Sequence, residues 1–128
     1  MTGPKRRALL VEDDPELRKL ARRYLEKLEF DVEEVANGRH AIARLNEARP
    51  DLVCLDLMLP EQSGYEICEF IRHTPGLKDV PVLVVSARAM PEDRAHAEEV
   101  GADAYLIKPF SMKEFSDTVT RLASGVRR

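Results

Sequence analysis

Tryptophan is absent, and the aromatic fraction is only 5%, carried by three tyrosines and four phenylalanines. A platform that stacks nucleic-acid bases needs more rings than this. Excess positive charge is also missing. The formal net charge is -3, which speaks against the basic field of a nucleic-acid interface. Cysteine is scarce: Cys54 and Cys68 are not in CxxC spacing, and Cys54 lies inside an apolar run. Cys54 therefore reads as a buried free thiol rather than a disulfide partner or metal ligand, which suits a reducing cytosol. No apolar run approaches the roughly 18–20 residues that span a bilayer. Met1 to Arg7 is basic, but the apolar stretch that follows is too short for a signal peptide. A cytoplasmic globular domain with no membrane and no direct nucleic-acid contact is the expectation.

What is present fits that class. The chain has 128 residues, 44% hydrophobic and 34% charged, which suits one domain with a real core. The expected division is a tail at 1–5, a folded domain over 6–124, and a tail or start of a linker at 125–128. Strands are predicted at Arg6–Glu12, Asp31–Val35, Leu52–Asp56, Val82–Ser86 and Asp103–Ile107. Between them lie helical patterns. Leu17, Leu20, Ala21, Tyr24, Leu25 and Leu28 form one apolar stripe, with Asp14 as N-cap and Pro15 at the first helical position. Ala41, Ile42, Leu45 and Ala48 mark a second helix ended by Pro50, after a turn at Asn37-Gly38. Ser63-Gly64-Tyr65-Glu66 and Ser111-Met112-Lys113-Glu114 are capping boxes. The first opens a helix with Ile67, Phe70 and Ile71 inward, and the second one with Phe115, Val119 and Leu122 inward. Pro91 opens an Ala- and Glu-rich helix that Gly101 closes. Strict alternation means βαβ units, right-handed crossovers and a parallel sheet covered on both faces.

Four predicted strands end in chemistry: Glu12 and Asp13, Asp56, Ser86, and Lys108. In a parallel sheet these ends share one edge, the edge where open α/β sheets bind ligands. The acidic run Glu12-Asp13-Asp14 alone reads equally well as a solvated helix-capping turn. With Asp56, Ser86 and Lys108 at the same edge it reads as a site. Crowded carboxylates need compensation, and hard oxygen ligands without nearby His or Cys point to Mg²⁺. An aspartate beside Mg²⁺ and a lysine is a plausible nucleophile toward phosphorus, with the Ser86 hydroxyl as a donor to a phosphoryl oxygen. No general base for a second substrate and no GxxxxGK[ST] loop is evident, so the phosphoryl group would stay on Asp56 as a mark. His40, His73 and His96 have no catalytic partner in sequence and read as surface residues.

The motifs Val11-Glu12-Asp13-Asp14-Pro15, Leu55-Asp56-Leu57-Met58-Leu59-Pro60 with Gly64, Val85-Ser86-Ala87 and Gly101-Ala102-Asp103-Ala104-Tyr105-Leu106-Ile107-Lys108-Pro109-Phe110 resemble the receiver domain of bacterial two-component response regulators. The resemblance covers roughly residues 6–124. It implies a doubly wound, flavodoxin-like three-layer sandwich with sheet order 2-1-3-4-5. It makes Asp56 the phospho-acceptor of a histidine kinase or phosphotransfer protein. Mg²⁺ would be held by Asp13, Asp56 and the Met58 backbone carbonyl, and by Glu12 through water. Ser86, the Ala87 N–H and Lys108 would bind phosphoryl oxygens, Ser86 and Tyr105 would act as the switch, and Pro109 would be cis. The signal would leave through the helix from Pro91, the fifth strand and the helix from Ser111, toward a downstream effector domain or protein.

Some positions depart from subfamily habit. Ala104 and Thr118 stand where receivers joined to winged-helix domains carry paired charges on their dimer face, so monomer or weak dimer is the expectation. Met58 and Arg88 occupy the two positions that line the route of attacking water. Two other readings compete. One is an aspartyl-nucleophile Mg²⁺ phosphatase, which would need a second acid where Met58 stands. The other is a binding module that works without phosphorylation. The resemblance makes the chain a non-enzyme, catalysing only its own phosphorylation and dephosphorylation.

Overall fold

Strand and helix alternate five times along the chain. The structure is a computed structural model and describes residues 5–124. The expected tails therefore lie, apart from Lys5, outside the described residues. The elements are β1 (Arg6–Val11), α1 (Pro15–Lys27), β2 (Phe30–Val35), α2 (Gly38–Glu47), β3 (Leu52–Asp56), α3 (Gly64–His73), β4 (Val82–Ser86), α4 (Pro91–Glu99), β5 (Ala104–Ile107) and α5 (Met112–Ala123). All pairings are parallel, in the order β2-β1-β3-β4-β5. This is the flavodoxin-like arrangement that the resemblance implied.

Every residue of β3 and β4 is buried, because helices cover both faces of the sheet. Side chains alternate between the two layers. Leu9, Val11, Val53, Leu55, Val82 and Val84 pack with Ala41 and Leu45 of α2 and Ile67, Cys68 and Ile71 of α3. Leu10, Leu52, Cys54 and Leu83 pack with Leu25 of α1 and Phe115, Val119 and Leu122 of α5. Both cysteines are free and buried, and burial pushes each thiol up to about 12.

Local chemistry sets the helix starts. The Asp14 side chain accepts the Glu16 N–H at 3.0 Å, with Pro15 at the start of α1. Both capping boxes are complete, Ser63 with Glu66 and Ser111 with Glu114. α4 is different. It has no side-chain cap, and its buried residues are a small one, Ala97, and a charged one, Asp93.

Several expectations shift. The Asn37-Gly38 turn is a helix start: Asn37 caps α2 by accepting the His40 N–H at 2.8 Å, and Gly38 is already helical. Asparagine serves turns and caps alike, and packing explains the glycine beside it, since a Cβ on Gly38 would lie 2.4 Å from the Gln62 carbonyl oxygen. Phe70 is half-buried, and Cys68 takes the fully buried place beside Ile67 and Ile71. β1 stops at Val11, β2 begins at Phe30 and β5 begins at Ala104, each one residue from the sequence reading.

Candidate functional site

Register brings the site together. Val11 pairs with Leu55, Asp56 with Val85, and Ser86 with Ile107. Glu12 and Lys108, each one residue past its strand, thus flank Asp56 and Ser86 at the carboxyl edge of the sheet. Backbone bonds fix both extensions. The Glu12 N–H donates to the Val35 carbonyl at 3.1 Å, and the Lys108 N–H donates to the Ser86 carbonyl at 2.8 Å.

Asp56 is 5% exposed at the end of β3. Its Oδ1 accepts the Met58 N–H at 3.0 Å, and its Oδ2 accepts from Lys108 Nζ at 2.8 Å. The same Nζ lies 3.2 Å from Glu12 Oε1. Glu12 Oε2 accepts the Asp14 N–H at 3.1 Å. Glu12 is buried and Asp13 exposed, yet one oxygen from each of Glu12, Asp13 and Asp56 lies within 4.8 Å of the others. Two carboxylates at that 4.8 Å separation repel by roughly 3.5 kcal/mol at an effective dielectric near 20.

The charge states follow. Burial raises the Glu12 carboxyl above its ordinary value; the Asp56 charge adds to this, and bonds from Asp14 and Lys108 only partly oppose it. Burial works against the Lys108 ammonium, but the Asp56 hydrogen bond and the Asp56 and Glu12 charges outweigh it and hold the group above its ordinary value. Three carboxylates against one ammonium leave two negative charges in excess. Hard oxygens with that deficit fit one hard divalent cation.

Residues 8–120 match the profile of the response regulator receiver domain. The chain belongs to that family. The receiver is 38% identical over 120 residues to the transcriptional regulatory protein ResD of Bacillus subtilis, covering 94% of this chain and 48% of ResD. It is 39% identical over 123 residues to the phosphate regulon transcriptional regulatory protein PhoB of Escherichia coli, covering 96% of this chain and 52% of PhoB. It thus spans about half the length of these curated relatives. Among solved structures, the receiver domain of a Syntrophus aciditrophicus signal transduction histidine kinase matches with TM-score 0.87 and 35% identity, over 96% of this chain and 93% of that one. The receiver domain of a Pseudomonas aeruginosa sensor histidine kinase matches with TM-score 0.87 and 30% identity, over 94% of this chain and 99% of that one. That Pseudomonas structure holds a magnesium ion in its active-site cleft.

The remaining expected residues of the receiver sit around this centre. Ser86 is fully buried at the end of β4, with Ala87 exposed beside it. Met58 is 56% exposed two residues past Asp56. Tyr105 on β5 already reaches the loop after β4: its hydroxyl donates to the Arg88 carbonyl at 2.8 Å. Burial pushes its phenol up, partly offset by hydrogen bonding to Ser86. The Lys108–Pro109 peptide bond is cis. His40, His73 and His96 are exposed, and His96 stacks on Tyr65 with ring centroids 4.0 Å apart.

Two features escaped sequence reasoning. A Cβ on Gly64 would lie 2.5 Å from the Asp56 carbonyl oxygen and 2.7 Å from the Leu57 Cα. Only glycine lets α3 start this close to the end of β3, where the Gly64 N–H donates to the Leu57 carbonyl at 3.0 Å. The second is the Arg88–Asp93 ion pair at 2.8 Å, whose carboxylate is buried in the first turn of α4. From sequence, Asp93 looks like an ordinary acidic residue favoured by a helix N-terminus.

Proposed function

We propose that this receiver is a phosphorylation-dependent switch whose acceptor is Asp56. The observation that carries the reading is one buried carboxylate, held by Lys108 on Oδ2 and by the Met58 N–H on Oδ1, beside two further acids. An Asp56 oxygen attacks the phosphorus of a phosphohistidine on a histidine kinase or phosphotransfer protein. The P–N bond breaks, and the imidazole leaves with the electron pair. Lys108, already at the carboxylate, faces charge that develops on the phosphoryl oxygens, and the Ser86 hydroxyl and Ala87 N–H stand at the same strand end to donate. Asp13, Asp56 and the Met58 carbonyl, with Glu12 through water, would hold Mg²⁺, which when bound neutralises charge on the transferring group.

The mark adds about -1.5 to -2 charge and three acceptor oxygens. Ser86 and Tyr105 respond, and the face of α4, β5 and α5 carries the signal to an effector. Moving the switch from 1:99 to 99:1 takes about 5.5 kcal/mol of differential stabilisation. On this reading the chain is cytoplasmic and turns over no external phosphoester. Incubation with acetyl phosphate and Mg²⁺, followed by intact-mass measurement, tests it. One added phosphoryl group on the wild type, Mg²⁺-dependent and absent from Asp56→Asn, is the expected result. No adduct on folded wild type, or an equal adduct on the variant, overturns the acceptor assignment.

A further inference from the structure

Arg88 joins three groups that the phosphoryl switch must coordinate. Its backbone N–H donates to the Ser86 hydroxyl oxygen at 3.1 Å. Its carbonyl accepts the Tyr105 hydroxyl at 2.8 Å. Its guanidinium Nε donates to Asp93 Oδ1 at 2.8 Å. The other end of the guanidinium points back across the mouth of the site, with Nη1 3.8 Å from Met58 Sδ. Met58 in turn is bonded through its N–H to the acceptor carboxylate. The Arg88 side chain is 49% exposed, whereas that of Asp93 is 8% exposed.

That asymmetry sets up an exchange. A half-exposed guanidinium next to a site that gains a phosphoryl dianion has a stronger anion to bind than one carboxylate, and a planar fork suits phosphate oxygens. A buried carboxylate that loses its cation is badly placed, left with the helix N-terminus and water. Asp93 lies in the helix with least to hold it, since α4 lacks a side-chain cap and otherwise buries Ala97. We propose that Arg88 is a counter-ion shared in turn between Asp93 and the phosphoryl group on Asp56, so that phosphorylation unpairs the first turn of α4 and lets it move. Asp93 is then a positioning residue that acts through Arg88. This rests on the acceptor reading of Asp56 given above.

The three tyrosines supply the readout. Tyr65 and Tyr105 flank the pair: burial first, and the Asp93 charge after it, push the Tyr65 phenol up, and the Asp93 charge acts on Tyr105 too. Tyr24 packs against Phe110 and Phe115 on the other layer and serves as the internal reference. The chain is labelled with fluorotyrosine, treated with acetyl phosphate and Mg²⁺, and followed by intact mass and fluorine NMR. The expected results form a pattern. Wild type gains the phosphoryl group and shifts its Tyr65 and Tyr105 signals. Arg88→Met, read only on the fraction that intact mass shows to carry the group, loses more than half of that shift, and Arg88→Lys keeps most of it. Asp93→Asn, without any donor, already shows part of the phosphorylated signature. The phosphorylation-induced shift of the double variant, taken relative to its own unphosphorylated spectrum, matches that of Arg88→Met, because Asp93 couples to the phosphoryl group only through Arg88. The inference is overturned if phosphorylated Arg88→Met shows the full wild-type shift, or if the two substitutions act additively. A wild type that takes no phosphoryl group removes the acceptor reading, and this inference falls with it.

Discussion

Among the described residues Lys108 is the one ammonium against Glu12 and Asp56, 3.2 and 2.8 Å away. Lys108→Ala should leave the fold intact, because the buried acids can take up a proton or a cation. It should lower the rate of phosphorylation by acetyl phosphate roughly hundredfold, the usual cost of one preorganised donor. An unchanged rate, read by intact mass over time, would remove Lys108 from the chemistry. The thiols make a second residue-scale prediction. Burial moves the Cys68 thiol from an ordinary 9.0 to about 12. As pH rises past 9.0 the unfolded chain loses that proton first, so the stability this thiol contributes is complete below pH 9.0 and declines toward about 12. Urea unfolding across this range should show falling stability in the wild type and a shallower fall in Cys68→Ala. The same slope in both would contradict the assignment.

At the scale of elements, the approach of α3 to the end of β3 is a tight constraint beside Asp56. Gly64→Ala should destabilise the fold by about 1–3 kcal/mol, because the methyl group meets backbone that has no rotamer to yield. Thermal or urea unfolding reads this directly, and a neutral substitution would mean that α3 can shift without penalty. Elements were also where the sequence spoke most clearly. Runs such as Leu52–Leu55 and Val82–Val85, the two capping boxes, and Pro15 and Pro91 are local signals with local causes. Asn37-Gly38 was legible as a break before α2, but the close neighbour of Gly38, Gln62, was not, because it is far away in sequence. The same holds for Arg72, which donates to the Gly101 and Val80 carbonyls and pairs with Asp103 at 2.7 Å. Nothing in the periodicity of α3 announces those partners. The acids, Ser86 and Lys108 were legible because a parallel sheet aligns strand ends whatever lies between. The Arg88–Asp93 pair was not, because its meaning depends on how deeply Asp93 is buried.

At the scale of the whole molecule, one edge of the sheet gathers Glu12, Asp56, Ser86 and Lys108, and β5 lies at one end of the sheet. Among the described residues no helix is long and apolar enough to cross a membrane. Thr118, at a position where a charge was one family habit, is buried and bonds the Glu114 carbonyl at 2.8 Å, while Arg94 lies over the Tyr105 ring. The surface of α4, β5 and α5 is therefore shaped by Arg94 and Tyr105 rather than by a charge at position 118. All of this matters for signalling only if the phosphoryl group lands on one carboxylate. The most direct measurement is chemical mapping. The chain is phosphorylated with acetyl phosphate and Mg²⁺, the acyl phosphate is reduced with borohydride to the alcohol, and the converted residue is located by peptide mass spectrometry. Conversion at Asp56 and nowhere else is the predicted result. Conversion at Glu12 or Asp13, or none in a chain shown to be folded, would contradict the account.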